Sequence, residues 1–169
     1  MEFKSQIVTT REQSERMLAL GIKPETADMV YHYTKSRVKS LEWELQAKPP
    51  TLRGKFWTPE RIAKLKMPFH KHTDGTAMTG EEVFDSLWGK DVPAWSLTRL
   101  LEMTPKFISE YPQRPYCFGL FSDENSWIID YSDGAGTLHV ESEENVFDAI
   151  VRMFAWLIKN NHFNTEYLK

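Results

Sequence analysis

The stretch NVFDAIVRMFAWLIK, residues 145–159, decides the fold predicted for this chain. From Val146 to Ile158 only Asp148 and Arg152 are polar, so a helix here is apolar on nearly every face and is expected to be buried. Its length of roughly 20 Å is short of the roughly 30 Å hydrocarbon core of a bilayer. The two polar residues lie four positions apart with opposite charges, and they are predicted to pair with each other. We interpret the stretch as a core helix and not as a membrane anchor.

The length and composition of the chain are those of a single globular domain: it has 169 residues, of which 41% are hydrophobic and 27% charged. A chain of this size can bury a core without disulfides. The single cysteine, Cys117, cannot form an internal disulfide and falls in an apolar run, which predicts a buried, inert thiol. Because no apolar run has the length of a signal peptide or of a membrane span, we expect a cytoplasmic protein with no membrane partner.

Local signals place helices and strands along the chain. Thr10 and Gln13 have the spacing of a capping box, which predicts a helix over residues 11–20 that ends at Gly21. The same reasoning predicts a helix that begins after Thr79 and another that begins after Ser96. Weaker patterns predict a helical turn from residue 24, a strand over 29–34, a helix over 35–46 and a short helix from 58 to 65.

Three runs rich in aromatic and β-branched residues, 116–121, 127–131 and 137–140, predict strands. Their short connections favour antiparallel hairpins. The predicted fold is therefore α+β, an antiparallel three-stranded meander flanked by helices, with additional helices toward the N-terminus. In the third strand His139 alternates with Leu138 and Val140, so its side chain is predicted to point away from the core.

These signals predict one domain over residues 1–169 with three parts. Residues 9–33 form an N-terminal helical segment, 34–89 a basic and partly irregular insertion, and 93–159 the α+β core. Common catalytic signatures are missing from the sequence: it has no GxxxxGK[ST], GxSxG, HExxH or paired CxxC motif. The sequence therefore favours a protein that is not an enzyme, and it assigns no catalytic residue and no cofactor.

One triplet has the composition of a metal site. In an extended segment, His70, His72 and Asp74 would point to the same side, so two imidazoles and a carboxylate could face one ion. The alternative is that all three are solvated loop residues, because the segment is polar and has no fourth ligand or orienting carboxylate.

A basic and aromatic tract covers residues 35–71, with ten Lys or Arg and three Glu. Aromatic faces among cations are typical of proteins that bind single-stranded nucleic acid by stacking and phosphate neutralisation. The alternatives are a solvated face or a segment that docks on the acidic remainder of the chain. The candidate nucleic-acid-binding residues are Lys35, Arg37, Lys39, Arg53, Lys55, Trp57 and Lys64.

Two motifs together carry a resemblance. TREQSERMLALGIKPETADMVY at residues 10–31 and VPAWSLTRLLEMTP at 92–105, followed by strands and a closing apolar helix, resemble a family of short uncharacterised bacterial proteins found in phage-derived and other mobile elements. The resemblance implies a cytoplasmic accessory protein, and it brings no catalytic residues with it.

Three functional hypotheses follow. The first is a non-enzymatic interaction protein that binds a protein partner or forms a homodimer, since the last helix has more apolar faces than one meander can cover. The second is nucleic-acid binding by the tract 35–71. The third is a metal-dependent enzyme that uses His70, His72 and Asp74.

Overall fold

The computed structural model describes residues 6–34, 42–47, 61, 70–109 and 114–169. The fold is α+β, as predicted, and it contains two antiparallel sheets. The chain divides into two compact units, one made of Met1–Lys23 with Trp95–Lys169 and the other of Pro24–Ala94. In the part of the chain that the structure describes, no helix is both long enough and apolar enough to cross a bilayer.

The helices and strands are named here in chain order. The helices are α1 (Arg11–Ala19), α2 (Gly80–Trp88), α3 (Leu97–Met103) and α4 (Val146–Lys159), with short 3-10 turns at Pro24–Thr26 and Thr165–Tyr167. The strands are β1 (Met29–Tyr33), β2 (Trp43–Gln46), β3 (Val92–Ala94), β4 (Phe107–Ile108), β5 (Tyr116–Ser122), β6 (Trp127–Ser132) and β7 (Thr137–Glu143).

Helix α4 is the core helix of the first unit, as its apolar sequence predicts. Asn145 caps it by accepting a hydrogen bond from the N–H of Phe147. Seven of its side chains are buried: Phe147, Ala149, Ile150, Val151, Met153, Phe154 and Leu157. The predicted Asp148–Arg152 pair is wrong, because each residue pairs outside the helix. Asp148 lies 2.7 Å from Arg16 in α1, and Arg152 lies 2.6 Å from Glu143 at the end of β7.

Helix α1 packs on α4 and closes one side of this core. Its capping box between Thr10 and Gln13 is present, and Gly21 follows the helix with a φ of +85°, the left-handed conformation that glycine adopts most readily. Both predictions are thereby confirmed. The buried Met17 is the main apolar contribution of α1 to the core.

Helix α3 begins where the cap predicts. The hydroxyl of Ser96 accepts from the N–H of Arg99, and the flanking Trp95 and Leu100 are both fully buried. Trp95 and Thr9 form two hydrogen bonds. The N–H of Thr9 donates to the carbonyl of Trp95 at 2.9 Å, and the N–H of Trp95 donates to the hydroxyl of Thr9 at 3.0 Å. This pairing holds the N-terminal segment beside the start of α3.

The sheet of the first unit has the order β4-β5-β6-β7, all antiparallel. The three predicted strands are confirmed, and the two-residue strand β4 is an addition that the sequence analysis did not predict. The hairpin loops are built on Asp123 and Asp133. Each carboxylate accepts two backbone N–H bonds across its loop, from Asn125 and Ser126 and from Ala135 and Gly136.

The inner face of this sheet packs on α4 and includes polar groups. Tyr131 is fully buried, and its hydroxyl donates to the carbonyl of Pro105 at 2.7 Å. His139 is directly paired with Tyr131 and lies flat on the indole of Trp156 in α4. The prediction that His139 points away from the core is therefore wrong. The register shift between Tyr131 and Ser132 leaves Leu138 without a partner in the register, and the regular pairing from His139 onward places the histidine, not Val140, on the inner side.

The second unit contains the sheet β2-β1-β3 and helix α2. The strand predicted near 29–34 is confirmed as β1. The helix predicted over 35–46 is wrong where it is described, because Trp43–Gln46 forms a strand that pairs with β1. Cross-strand packing explains the difference: Tyr33 is directly paired with Trp43, and their ring centroids lie 5.1 Å apart. Helix α2 begins at the predicted capping box of Thr79 and Glu82.

Candidate protein-interaction face

The side of the four-stranded sheet that faces away from α4 is an exposed, largely apolar surface. Residues that are directly paired across antiparallel strands share a face, so the register identifies its members. Phe107 pairs with Cys117, Gly119 with Asp130, Asp130 with Val140, and Phe121 with Ile128. We define the outer face as Phe107, Cys117, Gly119, Phe121, Ile128, Asp130 and Val140, together with Ser132 and Ser142, which pair with Cys117 and Ile128.

Large apolar side chains on the outer face are open to solvent. Phe107 is 62% exposed, Phe121 48% and Val140 52%, whereas Ile129 and Tyr131 on the inner face are fully buried. Single exposed apolar residues are ordinary, and here three of them lie on the same face of one sheet, although no two of the three are directly paired. Cys117 is also exposed, which corrects the predicted buried thiol.

At Gly119, in the middle of the outer face, the Asp130 carboxylate takes the space that a side chain would fill. A side chain at this position would collide with the Oδ1 atom of Asp130, so the carboxylate lies directly over the glycine. The ring of Phe121 reaches within 3.6 Å of the same point. The glycine thus allows the Asp130 carboxylate to pack against the backbone of β5, next to the Phe121 ring.

The region around the outer face is strongly acidic. Residues 115–145 contain seven Asp or Glu and no Lys or Arg, while Lys106 precedes β4 and Arg114 precedes β5. Asp123 and Asp133 accept several hydrogen bonds from their own loops, and those bonds hold the pKa of each carboxyl below its usual range. Glu141 lies 2.8 Å from the ring of His139, and Glu143 pairs with Arg152. Asp123 and Asp133 are therefore anionic at neutral pH, whereas Glu141 and Glu143 already have His139 and Arg152 as partners.

Asp130 differs from these carboxylates. Among the described residues it has no hydrogen-bond or ion-pair partner, and it is only partly exposed. Partial burial reduces the hydration of this carboxylate, and no described residue replaces the lost water with a hydrogen bond. The outer face therefore combines exposed apolar contacts with one central unpaired negative charge.

The second unit has a polar pair and a cleft. His32 lies 2.8 Å from Asp91, whose carboxylate also accepts the N–H of Tyr33 at 3.3 Å. The pair joins β1 to the segment that leads into β3. A cleft of about 390 Å³ lies nearby, lined by Tyr33, Asp85, Ser86, Leu87 and Lys90. The ammonium of Lys90 lies 4.5 Å from the Tyr33 ring centroid, so the aromatic wall of the cleft already carries a cation.

Of the predicted metal triplet, His72 and Asp74 lie in a turn between the paired residues Lys71 and Ala77, whereas His70 precedes the turn and its carbonyl accepts the N–H of Met78. Asp74 accepts from the backbone and the hydroxyl of Thr76, which lowers the pKa of its carboxyl, and His72 lies 3.4 Å from Glu82. Within the described ranges no group of three or more His, Cys, Asp or Glu side chains is placed to hold a metal ion. The structure thus uses Asp74 to close a turn, and the metal hypothesis gains no support from it.

The predicted nucleic-acid-binding residues, Lys35, Arg37, Lys39, Arg53, Lys55, Trp57 and Lys64, lie outside the described residues. That hypothesis stays a prediction.

Sequence reasoning missed the outer face. One signal for it is present: apolar residues occupy adjacent positions in the strands, as in Leu120-Phe121 and Ile128-Ile129, where a sheet with one solvated face would alternate. The chain matches no known family model, and comparisons with curated proteins and with solved structures found no match. The candidate site rests on the geometry of the sheet.

Proposed function

We propose that this chain is a non-enzymatic interaction protein that uses the outer face of its four-stranded sheet to bind another protein. The observation that carries the proposal is the exposure of Phe107, Phe121 and Val140 on the side of the sheet opposite α4. Burying these side chains against a partner would remove apolar surface from water, the main favourable term in protein association.

The charge of this region favours a protein partner over a nucleic acid. Surfaces that bind nucleic acid are typically rich in lysine and arginine, and residues 115–145, which supply three of the four strands, have neither. The outer face instead suits a partner with apolar and basic side chains. That the partner belongs to a phage or another mobile element is a proposal that rests on the sequence resemblance alone.

A second copy of this chain is a less favourable partner for the outer face. In a two-fold symmetric dimer the same patch meets itself, so the two Asp130 carboxylates and their acidic surroundings would approach each other. Like charges brought together at an interface oppose association. We therefore propose a hetero-complex, and sedimentation of the purified chain tests the homodimer.

The test is a site-specific cross-link followed by binding measurements. A photo-reactive phenylalanine analogue at Phe121 should cross-link a partner in the cells that express the chain, and the same analogue at the exposed Glu15 in α1 should not cross-link that protein. The identified partner is then purified and titrated against the chain.

Variants of the chain decide whether the contact is the outer face. The double substitution Phe107→Ser and Val140→Ser should weaken binding of the purified partner at least tenfold. Ile7→Ser is the matched control, because Ile7 is an equally exposed apolar residue, at 63%, outside the sheet, and it should change binding less than twofold. Unchanged binding by the double variant would overturn the proposal.

A further inference from the structure

Strand β7 forms one edge of the four-stranded sheet, because it pairs with β6 on one side and with no described strand on the other. We propose that this edge takes up an extended, basic segment of another protein, which adds to the sheet as a fifth antiparallel strand. Such a contact goes beyond the proposed function, since it uses the backbone of β7 and not the apolar side chains of the outer face.

The hairpin between β5 and β6 shows which backbone groups of β6 point toward β7. The N–H of Asp123 donates to the carbonyl of Ser126 at 3.0 Å, so these two residues form a hydrogen-bonded pair at the end of the hairpin. Hydrogen-bonded pairs alternate along an antiparallel ladder, so Ile128 directs its N–H and carbonyl to β5, and Ile129 directs its groups to β7. Ile129 is directly paired with Glu141, whose backbone groups therefore point to β6.

The backbone groups on either side of Glu141 point to the open edge. Val140 and Ser142 alternate with it along β7, so each directs one N–H and one carbonyl away from β6. In the described part of the chain, no backbone group bonds to these four. Strand β7 also lacks proline and lysine, which commonly block pairing at sheet edges. An extended peptide backbone is the group that matches this alternation of donors and acceptors.

The charge of β7 favours a basic segment. The strand contributes Glu141 and Glu143, and residues 115–145 contain no Lys or Arg. Glu143 pairs with Arg152 at 2.6 Å. Among the described residues, Glu141 pairs with the imidazole of His139 and with no lysine or arginine. A lysine or arginine directly opposite Glu141 on an added strand would lie within reach of its carboxylate, and opposite charges in such pairs stabilise a sheet.

A second copy of the chain is a poor occupant of this edge. When two β7 strands related by a two-fold axis bond through both Val140 and Ser142, each Val140 lies opposite a Ser142 and the two Glu141 residues lie opposite each other. Like charges that are directly opposite destabilise a sheet. The charge of β7 therefore favours a segment of a different protein.

The test uses a short basic peptide, acetyl-Thr-Lys-Thr-Arg-Val-Thr-amide, and two N-methylated forms of it. With its arginine opposite Glu141, the valine N–H of the peptide donates to β7 and the arginine N–H points away. Methylation of the valine nitrogen therefore removes a hydrogen bond, while methylation of the arginine nitrogen is the matched control with the same added group. Titration into the isotopically labelled chain, followed by amide chemical shifts, gives the affinity and the location of each peptide.

The unmethylated peptide and the N-methyl-arginine form should bind with affinities within about threefold of each other and should shift the amides of Val140 and Ser142. The N-methyl-valine form should bind at least tenfold more weakly. Val140→Pro removes an outward N–H and leaves the N–H groups that bond to β6, so it should weaken binding of the unmethylated peptide at least tenfold as well. Glu124→Pro is the control: it places proline in the exposed hairpin loop and should change the affinity less than twofold.

Equal affinities of the two methylated peptides would overturn the inference, whether or not Val140→Pro folds. Equally tight binding of an acidic peptide, with glutamate in place of lysine and arginine, would overturn the preference for a basic segment. Dimerisation of the purified chain that Val140→Pro abolishes would place a second copy at the edge and would also overturn the inference. The proposed function is judged separately, because the cross-link at Phe121 and the Phe107→Ser, Val140→Ser variant test the outer face.

Discussion

His139 in β7 lies flat against Trp156 in α4, with ring centroids 4.3 Å apart and planes only 2° from parallel. The same imidazole is 2.8 Å from the carboxylate of Glu141. A polar strand residue is thus held between the core helix and a carboxylate on the inner face of the sheet. This contact ties the edge strand of the sheet to α4.

Replacing His139 by alanine should destabilise the fold by about 1 kcal/mol, the usual value of an aromatic pair beyond area burial. Denaturant unfolding followed by tryptophan fluorescence measures the change. The control is Val140→Ala, one residue away on the outer face and 52% exposed, which should change stability by less than about 0.5 kcal/mol. Equal effects of the two substitutions would contradict the asymmetry between the faces.

Phenylalanines in the core and on the outer face should respond very differently to truncation. Phe154→Ala in α4 removes a fully buried ring and should cost about 3–5 kcal/mol, whereas Phe107→Ala removes a ring that is 62% exposed and should cost less than about 1 kcal/mol. Thermal or chemical unfolding of the two variants gives the comparison. A large loss of stability in Phe107→Ala would show that this ring serves folding, which argues against its role in binding.

The two glycines of the β6–β7 loop provide a matched pair. Gly134 has a φ of +80°, where a side chain is strained, while Gly136 has no such φ and open space at its Cβ position. Gly134→Ala should therefore destabilise the chain by about 1–2 kcal/mol and Gly136→Ala by clearly less. Melting temperatures of the two variants test this, and the reverse order would contradict the loop geometry.

Acid should weaken the hairpin loops in a defined pH range. Asp123 and Asp133 accept loop N–H bonds as carboxylates, so the pKa of each is lower in the folded chain than its ordinary value of 3.8. The stability they contribute is complete above the unfolded pKa and is lost as the pH falls through the folded pKa. Side-chain carboxyl chemical shifts, recorded from pH 6 to pH 2, should give midpoints below 3.8 for both residues.

The sequence alone determined the elements that depend on local chemistry. The capping residues Thr10, Thr79 and Ser96 each begin a helix where predicted, because a side-chain oxygen satisfies backbone N–H groups within the same few residues. The three strands of the meander were also predicted locally, because runs of aromatic and β-branched residues alternate with short polar and glycine-containing loops. Neither inference requires knowledge of distant residues.

Pairing between distant residues was decided only by the tertiary structure. Asp148 has Arg152 one helical turn away but pairs with Arg16, which is 132 positions away in sequence. The stretch Trp43–Gln46 becomes a strand because β1 is available to pair with it, and His139 faces the core because the register of β6 and β7 places it opposite Tyr131. The outer face arises in the same manner, since Phe107, Phe121 and Val140 belong to three strands and share a surface only once the sheet has formed.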